Sequence, residues 1–358
     1  MDNKYHEKLI VSSSPHMVTK TDTSKIMGTV LIALLPAFAV GIYQFGFRVV
    51  TLTAVFVASC VLFEYLYNKI TKKPQTVGDL SAVLTGVLLA FNCPSSLPYE
   101  IAIVGSFAAI VVIKQLFGGI GQNLVNPAVT ARVFMFIAFA TPMTSWPTPR
   151  GGHATGAVVD ATTSATPLGV LSHGSFADVY NDGFTKMDLF LGNVGGCIGE
   201  VSALAILIGG LFLIWKKVIS PIIPVTFIAT VFVLGLIWGG FDGALFHILA
   251  GGLMLGAFFC ATDYVTSPTL PLGKVIFGIG CGLFTMLIRI FASYPEGVSF
   301  AILLMNILTP YIDKICEKRM YKLPKKAKEI EKVPNEKTRE IAKRHLKEIE
   351  EGQRDFRF

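Results

Sequence analysis

The side chains in this sequence that have chemistry to offer are few, and they sit in apolar surroundings. Glu64, Asp79, Lys114, Glu200, His247, Asp263 and Arg289 fall within or at the edge of long hydrophobic runs. An ionisable group is costly there and so faces water, a partner or a pathway. Asp79, Glu200 and Asp263 are the candidates for a cation pathway, because carboxylates are hard oxygen ligands and also accept protons. Glu64 and Lys114 fall near run ends, where long side chains snorkel to an interface. His247 reads as a packing histidine and Arg289 as a partner for a carboxylate. Two further segments are polar without being strongly charged. Gly118-Gly-Ile-Gly-Gln-Asn123-Leu-Val-Asn126-Pro127 is a glycine-rich break ending where proline suits a first helical turn. Such a break frees amide groups for a polar ligand, while helix capping also accounts for Asn126. Asp160-Ala-Thr-Thr163-Ser164-Ala-Thr166-Pro-Leu-Gly169 places small hydroxyl residues beside a proline turn, by composition an ordinary loop. The six cysteines stand singly, with no CxxC pair and no cysteine–histidine cluster. Neither a metal site, a disulfide framework nor an iron–sulfur centre is expected, and no GxGxxG follows a strand to bind a dinucleotide. No residue is assigned catalysis.

The elements that must position these residues are membrane helices. The chain is 52% hydrophobic and only 15% charged, with a mean hydropathy of +0.60, too apolar for a soluble chain of this length. Apolar runs that can cross a bilayer as helices recur at 26–44, 47–68, 78–93, 99–117, 127–141, 188–215, 218–239, 243–262, 272–292 and 297–316. The expected fold class is an all-α integral membrane protein of about ten transmembrane helices. Its expected parts are a cytoplasmic segment 1–25, five helices in 26–141, an extracytoplasmic loop 142–187, five helices in 188–316, and a charged cytoplasmic tail 317–358. With both termini inside, all 31 Lys and Arg residues fall on the cytoplasmic side except Arg48, Arg150 and Lys186 outside and Arg289 within a helix. That asymmetry sets the orientation. The N-terminal segment lacks the apolar core and cleavage site of a secretory signal, so it is expected to be retained. The net charge of +7 sits mostly in the tail, which mixes 14 Lys/Arg with 9 Asp/Glu. It points to lipid headgroups or a cytoplasmic partner and not to nucleic acid, and a solvated helix is expected over 336–351.

A short internal repeat organises the helices. Gly86 to Pro98 (GVLLAFNCPSSLP) and Gly256 to Pro271 (GAFFCATDYVTSPTLP) each leave an apolar helix through a Ser/Thr-Pro turn ending in Leu-Pro. They lie five predicted spans apart, and an odd number of helices per repeat turns the second copy over in the membrane. Two inverted five-helix repeats are therefore expected, with polar sites at their interface.

Thr163-Ser-Ala-Thr166 resembles the [ST]-[GSA]-A-T flavinylation motif of the RnfD/NqrB family, the large membrane subunits of the Rnf complex and of the sodium-pumping NADH:quinone reductase. Ser164 stands where related motifs often have glycine. Gly118 to Ala128, the Gly199-Glu200 pair and Cys260-Ala-Thr-Asp263-Tyr-Val-Thr-Ser-Pro268 also resemble that family's recurring blocks. The likeness runs from residue 20 to 316, and the short N-terminus and Pro167-Leu168 are nearer the RnfD branch. The resemblance implies FMN attached through a phosphodiester to Thr166, with Asp160 and Thr163 recognised by a flavin transferase. It also implies a noncovalent riboflavin, expected near Asn123 and Asn126. Arg150 and His153, in the same loop as Thr166, are either water-facing residues or partners of the flavin phosphate or pyrimidine carbonyls. Arg289 acquires a flavin phosphate as a second possible partner.

The function implied is that of a membrane subunit in an Rnf-type ferredoxin:NAD⁺ oxidoreductase, which couples electron transfer to Na⁺ or H⁺ crossing the cell membrane of a bacterium or archaeon. Other subunits of the complex are the expected partners and supply the iron–sulfur and NAD sites. A flavin-free channel or secondary transporter with inverted repeats is the alternative, and a modified Thr166 separates the two.

Overall fold

In a computed structural model of the chain, the residues described are 22–150, 166–173, 179, 184–292, 296–320, 340 and 344. Asp160, Thr163, Ser164 and His153 lie outside them, as does nearly all of the tail helix expected over 336–351. Every regular element among the described residues is a helix, and none is a strand. Packing separates Met1–Thr309 from Pro310–Phe358. Of the second unit, the described part is the end of the last helix, to Met320, with Glu340 and Arg344.

The helices in order are α1 (Thr23–Phe45), α2 (Arg48–Ile70), α3 (Ser81–Phe91), α4 (Tyr99–Phe107), α5 (Pro127–Ala138), α6 (Ala140–Met143), α7 (Pro167–His173) and α8 (Lys186–Leu191). They continue with α9 (Ala203–Trp215), α10 (Ile222–Leu249), α11 (Leu253–Leu255), α12 (Pro271–Phe291) and α13 (Val298–Met320). Helix α4 runs on as a π-helical stretch over Ala108–Gln115, and α11 as another over Gly256–Cys260. Among the described residues, five helices are long and apolar enough to cross a membrane: α1, α2, α10, α12 and Val298–Glu317 of α13. Helices α3, α5 and α9 are apolar but shorter.

The short helices are where the structure departs from the expected spans. The run 78–93 becomes a half-helix, α3, preceded by a 3₁₀ turn at Val77–Asp79 with Leu80 in the left-handed region. The run 188–215 becomes α8 and α9 separated by the non-helical 192–202, where Gly192 takes a φ of 103°. Hydropathy does not register such breaks, since the residues in them are as apolar or as small as those of a helix. The runs 218–239 and 243–262 meet within α10 at Gly240, whose φ of 65° and ψ of −162° are not helical. A Cβ on Gly235 would lie 2.7 Å from the Cα of Ala244, two positions that a straight helix holds about 13 Å apart. The chain therefore doubles back at Gly240.

Close packing relies on small residues, as expected where lipid supplies no hydrophobic drive between helices. A Cβ on Gly209 of α9 would meet the carbonyl oxygen of Ala33 in α1 at 2.1 Å, and one on Gly86 of α3 would meet the Cα of Val57 in α2 at 2.9 Å. Gly209→Ala is accordingly expected to push α9 off α1. The cost is about 1–3 kcal/mol, as for other overpacked positions, read as a lower melting temperature in detergent.

Candidate functional site

Two interrupted helices meet in the interior. Helix α3 ends at Phe91 and the π-helical extension of α11 ends at Cys260, and the Nδ2 of Asn92 lies 4.0 Å from the Sγ of Cys260. The carbonyls released by each break find partners elsewhere in the chain. The N–H groups of Gly199 and Ile198 donate to the carbonyls of Phe91 (2.9 Å) and Cys93 (3.0 Å), and Asn126 Nδ2 donates to the carbonyl of Cys260 (3.2 Å). Asn306, fully buried on α13, is oriented to accept from the Asn126 N–H (3.1 Å) and donate to the Thr266 carbonyl (3.3 Å). Nothing in the sequence around Asn306 announces this role. An asparagine within an apolar helix is the only signal.

Beside this crossing lies a cavity of about 110 Å³. Leu88, Leu213, Ile219, Phe258 and Phe259 give it apolar walls, while Lys114, Ser81, Asn123, Thr262 and Asp263 place polar groups on it. Asn126 also lines it, but its side chain is committed: Oδ1 caps α5 by accepting from Ala128 N–H (3.0 Å) and Val129 N–H (3.3 Å), and Nδ2 holds Cys260. Asn123 Oδ1 is buried and has no hydrogen-bond partner among the described residues, a cost that a ligand N–H or O–H would remove. The Asp263 carboxylate accepts from Thr266 Oγ1 at 3.1 Å. Tyr264 O–H donates to the carbonyl of Val218, bridging two segments of the wall. A flat, mostly apolar ring system with a few polar atoms fits this lining.

Glu64 and Lys114 do not snorkel. They are 1% and 2% exposed and form a buried ion pair, Nζ to Oε2 at 2.7 Å. Lys114 Nζ also donates to Ser81 Oγ (2.7 Å), and Thr76 Oγ1 donates to Glu64 Oε1 (2.6 Å). In the sequence each simply stands at the end of its own run. Their meeting requires α2 and the end of α4 to pack together, which hydropathy does not reveal.

Glu200 belongs to a second buried group. Arg132 of α5 donates to Glu296 Oε2 (2.5 Å), Ser299 Oγ (2.5 Å) and Cys197 Sγ (3.4 Å), and lies 3.4 Å from Glu200 Oε1. Cys197, Glu200 and Glu296 are close enough together to hold a metal ion, but the Arg132 guanidinium already reaches all three as their cation. Arg132, counted among the cytoplasmic-side cations as a residue near a helix start, is thus buried on α5. Sequence reasoning misses Glu296 because it sits outside the apolar runs.

Thr166 opens onto the same region. With Glu200, Glu296, Gly195, Gly196 and Gly251 it lines a small cavity of about 20 Å³, room for about one water. The side chain is 8% exposed, and its Oγ1 accepts from the Gly169 N–H (3.0 Å) at the start of α7. The three glycines leave backbone where side chains would otherwise stand, but the space is far too small for a ring system, so a group tethered at Thr166 Oγ1 would have to lie outside this cavity.

The other candidates are dispersed. Asp79 closes the 3₁₀ turn before α3, with its N–H on the Thr76 carbonyl (3.0 Å). Arg150 is exposed; its N–H donates to the carbonyl of Gln44 (3.1 Å) near the α1–α2 turn. Arg289 donates to the backbone carbonyls of His247 (2.5 Å) and Ala250 (2.9 Å), satisfying the end of α10. His247 stands edge-on to Phe246, with centroids 5.7 Å apart.

Apolar helices interrupted in the interior, with polar cavities beside the interruptions, define a multi-pass membrane protein. Over residues 10–322 the sequence matches the NQR2, RnfD, RnfE family, and the chain belongs to it. It is 48% identical over 327 residues to the D-type subunit of the Na(+)-translocating ferredoxin:NAD(+) oxidoreductase complex of Acetobacterium woodii, covering 90% of this chain and 98% of that one. It is 41% identical over 316 residues to the D-type subunit of the proton-translocating ferredoxin:NAD(+) oxidoreductase complex of Clostridium ljungdahlii, covering 86% and 94%. The corresponding subunit of the ion-translocating oxidoreductase complex of Stutzerimonas stutzeri is 41% identical over 329 residues, with 84% and 93% covered.

Proposed function

We propose that this chain is the D-type membrane subunit of an ion-translocating ferredoxin:NAD⁺ oxidoreductase, a redox-driven translocase in which it carries flavin and is not catalytic alone. The observation that carries this reading is 48% identity along 98% of the Acetobacterium woodii protein. Thr166 carries FMN as a phosphoester, installed by a flavin transferase, and riboflavin occupies the cavity at Asn123 and Asn126. The motif Thr163-Ser-Ala-Thr166 supports the first assignment. The unpartnered Asn123 Oδ1 and the apolar walls support the second. When bound, the flavins supply one- and two-electron chemistry. The chain's own part is to hold the rings, exclude water and place charge beside them. Asp79, Glu200 and Asp263 are the proposed contacts of Na⁺ or H⁺, with Asp263 on the wall of the larger cavity.

Ten membrane helices in two inverted five-helix repeats, with termini in the cytoplasm and 142–187 outside, complete the reading. In its favour, both interrupted helices lead through Leu-Pro into the next helix: Pro98 is the residue before α4, and Pro271 is the first residue of α12. The test is the flavin content of the chain expressed with its transferase. Acid precipitation should release riboflavin and leave FMN on the protein. A chain that yields neither would overturn the reading and favour a flavin-free channel or transporter.

A further inference from the structure

The Lys114–Glu64 pair is buried, yet only one of its members lines the larger cavity. Lys114 and Ser81 lie on the cavity wall. Glu64 stands behind them, held on its other oxygen by Thr76 Oγ1, which in turn accepts from Asn68 Nδ2 (3.1 Å). The ammonium therefore presents positive charge to the cavity while its counter-charge is kept out of it. Two of its three N–H donors go to Glu64 and Ser81, and among the described residues the third has no hydrogen-bond partner. Lys114 also sits on the π-helical stretch Ala108–Gln115, a distortion that recurs at functional sites. Stability does not explain the pair, since a buried ion pair is commonly no better than a well-packed apolar one.

We propose that Lys114 is the charge-compensating residue of this cavity, a positioning cation that favours the more negatively charged, reduced form of a heteroaromatic ligand, with Glu64 holding the ammonium in place. Asp263 is the other charged residue on the wall, and its bond to Thr266 gives it a partner of its own. The proposal rests on riboflavin occupying this cavity.

The test uses the full chain carrying Thr166→Val as parent, so that the noncovalent flavin is the only one present, and compares it with the same chain carrying Glu64→Gln/Lys114→Met. Neither leaves an uncompensated buried charge at the pair. Two quantities are read: riboflavin released by acid, and the midpoint potential in a reductive titration. Riboflavin content should be equal in both, and the double variant should favour the reduced flavin about tenfold less, a shift of about 59 mV downward for a one-electron step. Lys114→Arg, which keeps the charge, should stay near the parent potential and guards against variants that fail to fold. Equal potentials at equal occupancy would reduce Lys114 to a packing role and overturn the proposal, as would a shift in Lys114→Arg as large as that in the double variant. A parent chain that releases no riboflavin would instead remove the occupancy reading first, and this inference with it.

Discussion

Replacing Thr166 with valine is expected to abolish flavin fluorescence from this chain on a denaturing gel while leaving the fold intact. Valine keeps the branched shape and removes only the hydroxyl, which is both the proposed ester oxygen and the acceptor for the Gly169 N–H. Losing that helix-start bond costs about 1 kcal/mol, as for other N-cap substitutions. The chain should therefore still insert, and noncovalent riboflavin should still be released by acid. The covalent adduct should vanish completely, because a phosphodiester has no oxygen to form through. Mass spectrometry of the peptide around Thr166 in the parent supplies the mass of the adduct. A labelled valine variant would move the attachment to another residue and sink the assignment.

Removing Arg132 should have the largest effect on stability of any single change considered. Its guanidinium reaches Glu296 Oε2 at 2.5 Å and Glu200 Oε1 at 3.4 Å, and the side chains of all three are no more than 12% exposed. Arg132→Met leaves two carboxylates in a water-poor interior without the guanidinium that contacts them, and the nearby Arg289 is committed to the carbonyls of His247 and Ala250. Breaking a buried pair from one side typically costs about 3–5 kcal/mol, enough to consume much of a normal stability margin. The expected result is little folded protein, or a melting temperature in detergent many degrees below the parent. The triple variant Arg132→Met/Glu200→Gln/Glu296→Gln removes both carboxylates together with their guanidinium and should recover much of the loss. Full stability in Arg132→Met alone would show that the guanidinium is dispensable to the group.

Some of this molecule was legible before any coordinates. Helices α1, α2, α12 and α13 lie within a few residues of the runs that announce them, because a helix of about 20 apolar residues satisfies its own backbone and needs no neighbour to be recognised. The Asn126-Pro127 helix start was legible for the same reason, since capping is local: Pro127 begins α5 and Asn126 Oδ1 caps it. The turn after α3 was legible too, from its Ser/Thr-Pro exit ending in Leu-Pro, but the break at 192–202 was not, and neither were the partners of the backbone groups such breaks release, because those partners are distant in sequence. The bonds from Gly199 to Phe91 and from Asn126 to Cys260 exist only once those segments are side by side.

The same division runs through the candidate site. The sequence alone determined a membrane chain, its family likeness, and the threonine and asparagines with chemistry to offer, since hydropathy and contiguous motifs are properties of the chain itself. Only the tertiary structure decided that Lys114 and Glu64 are partners and that Arg132 joins Glu200 to Glu296. It alone showed that Asn126 is committed where Asn123 Oδ1 is not, and that Thr166 shares a cavity with two carboxylates. Charge pairing and cavity formation depend on distances between residues far apart in the chain, and those distances are set by how the helices pack.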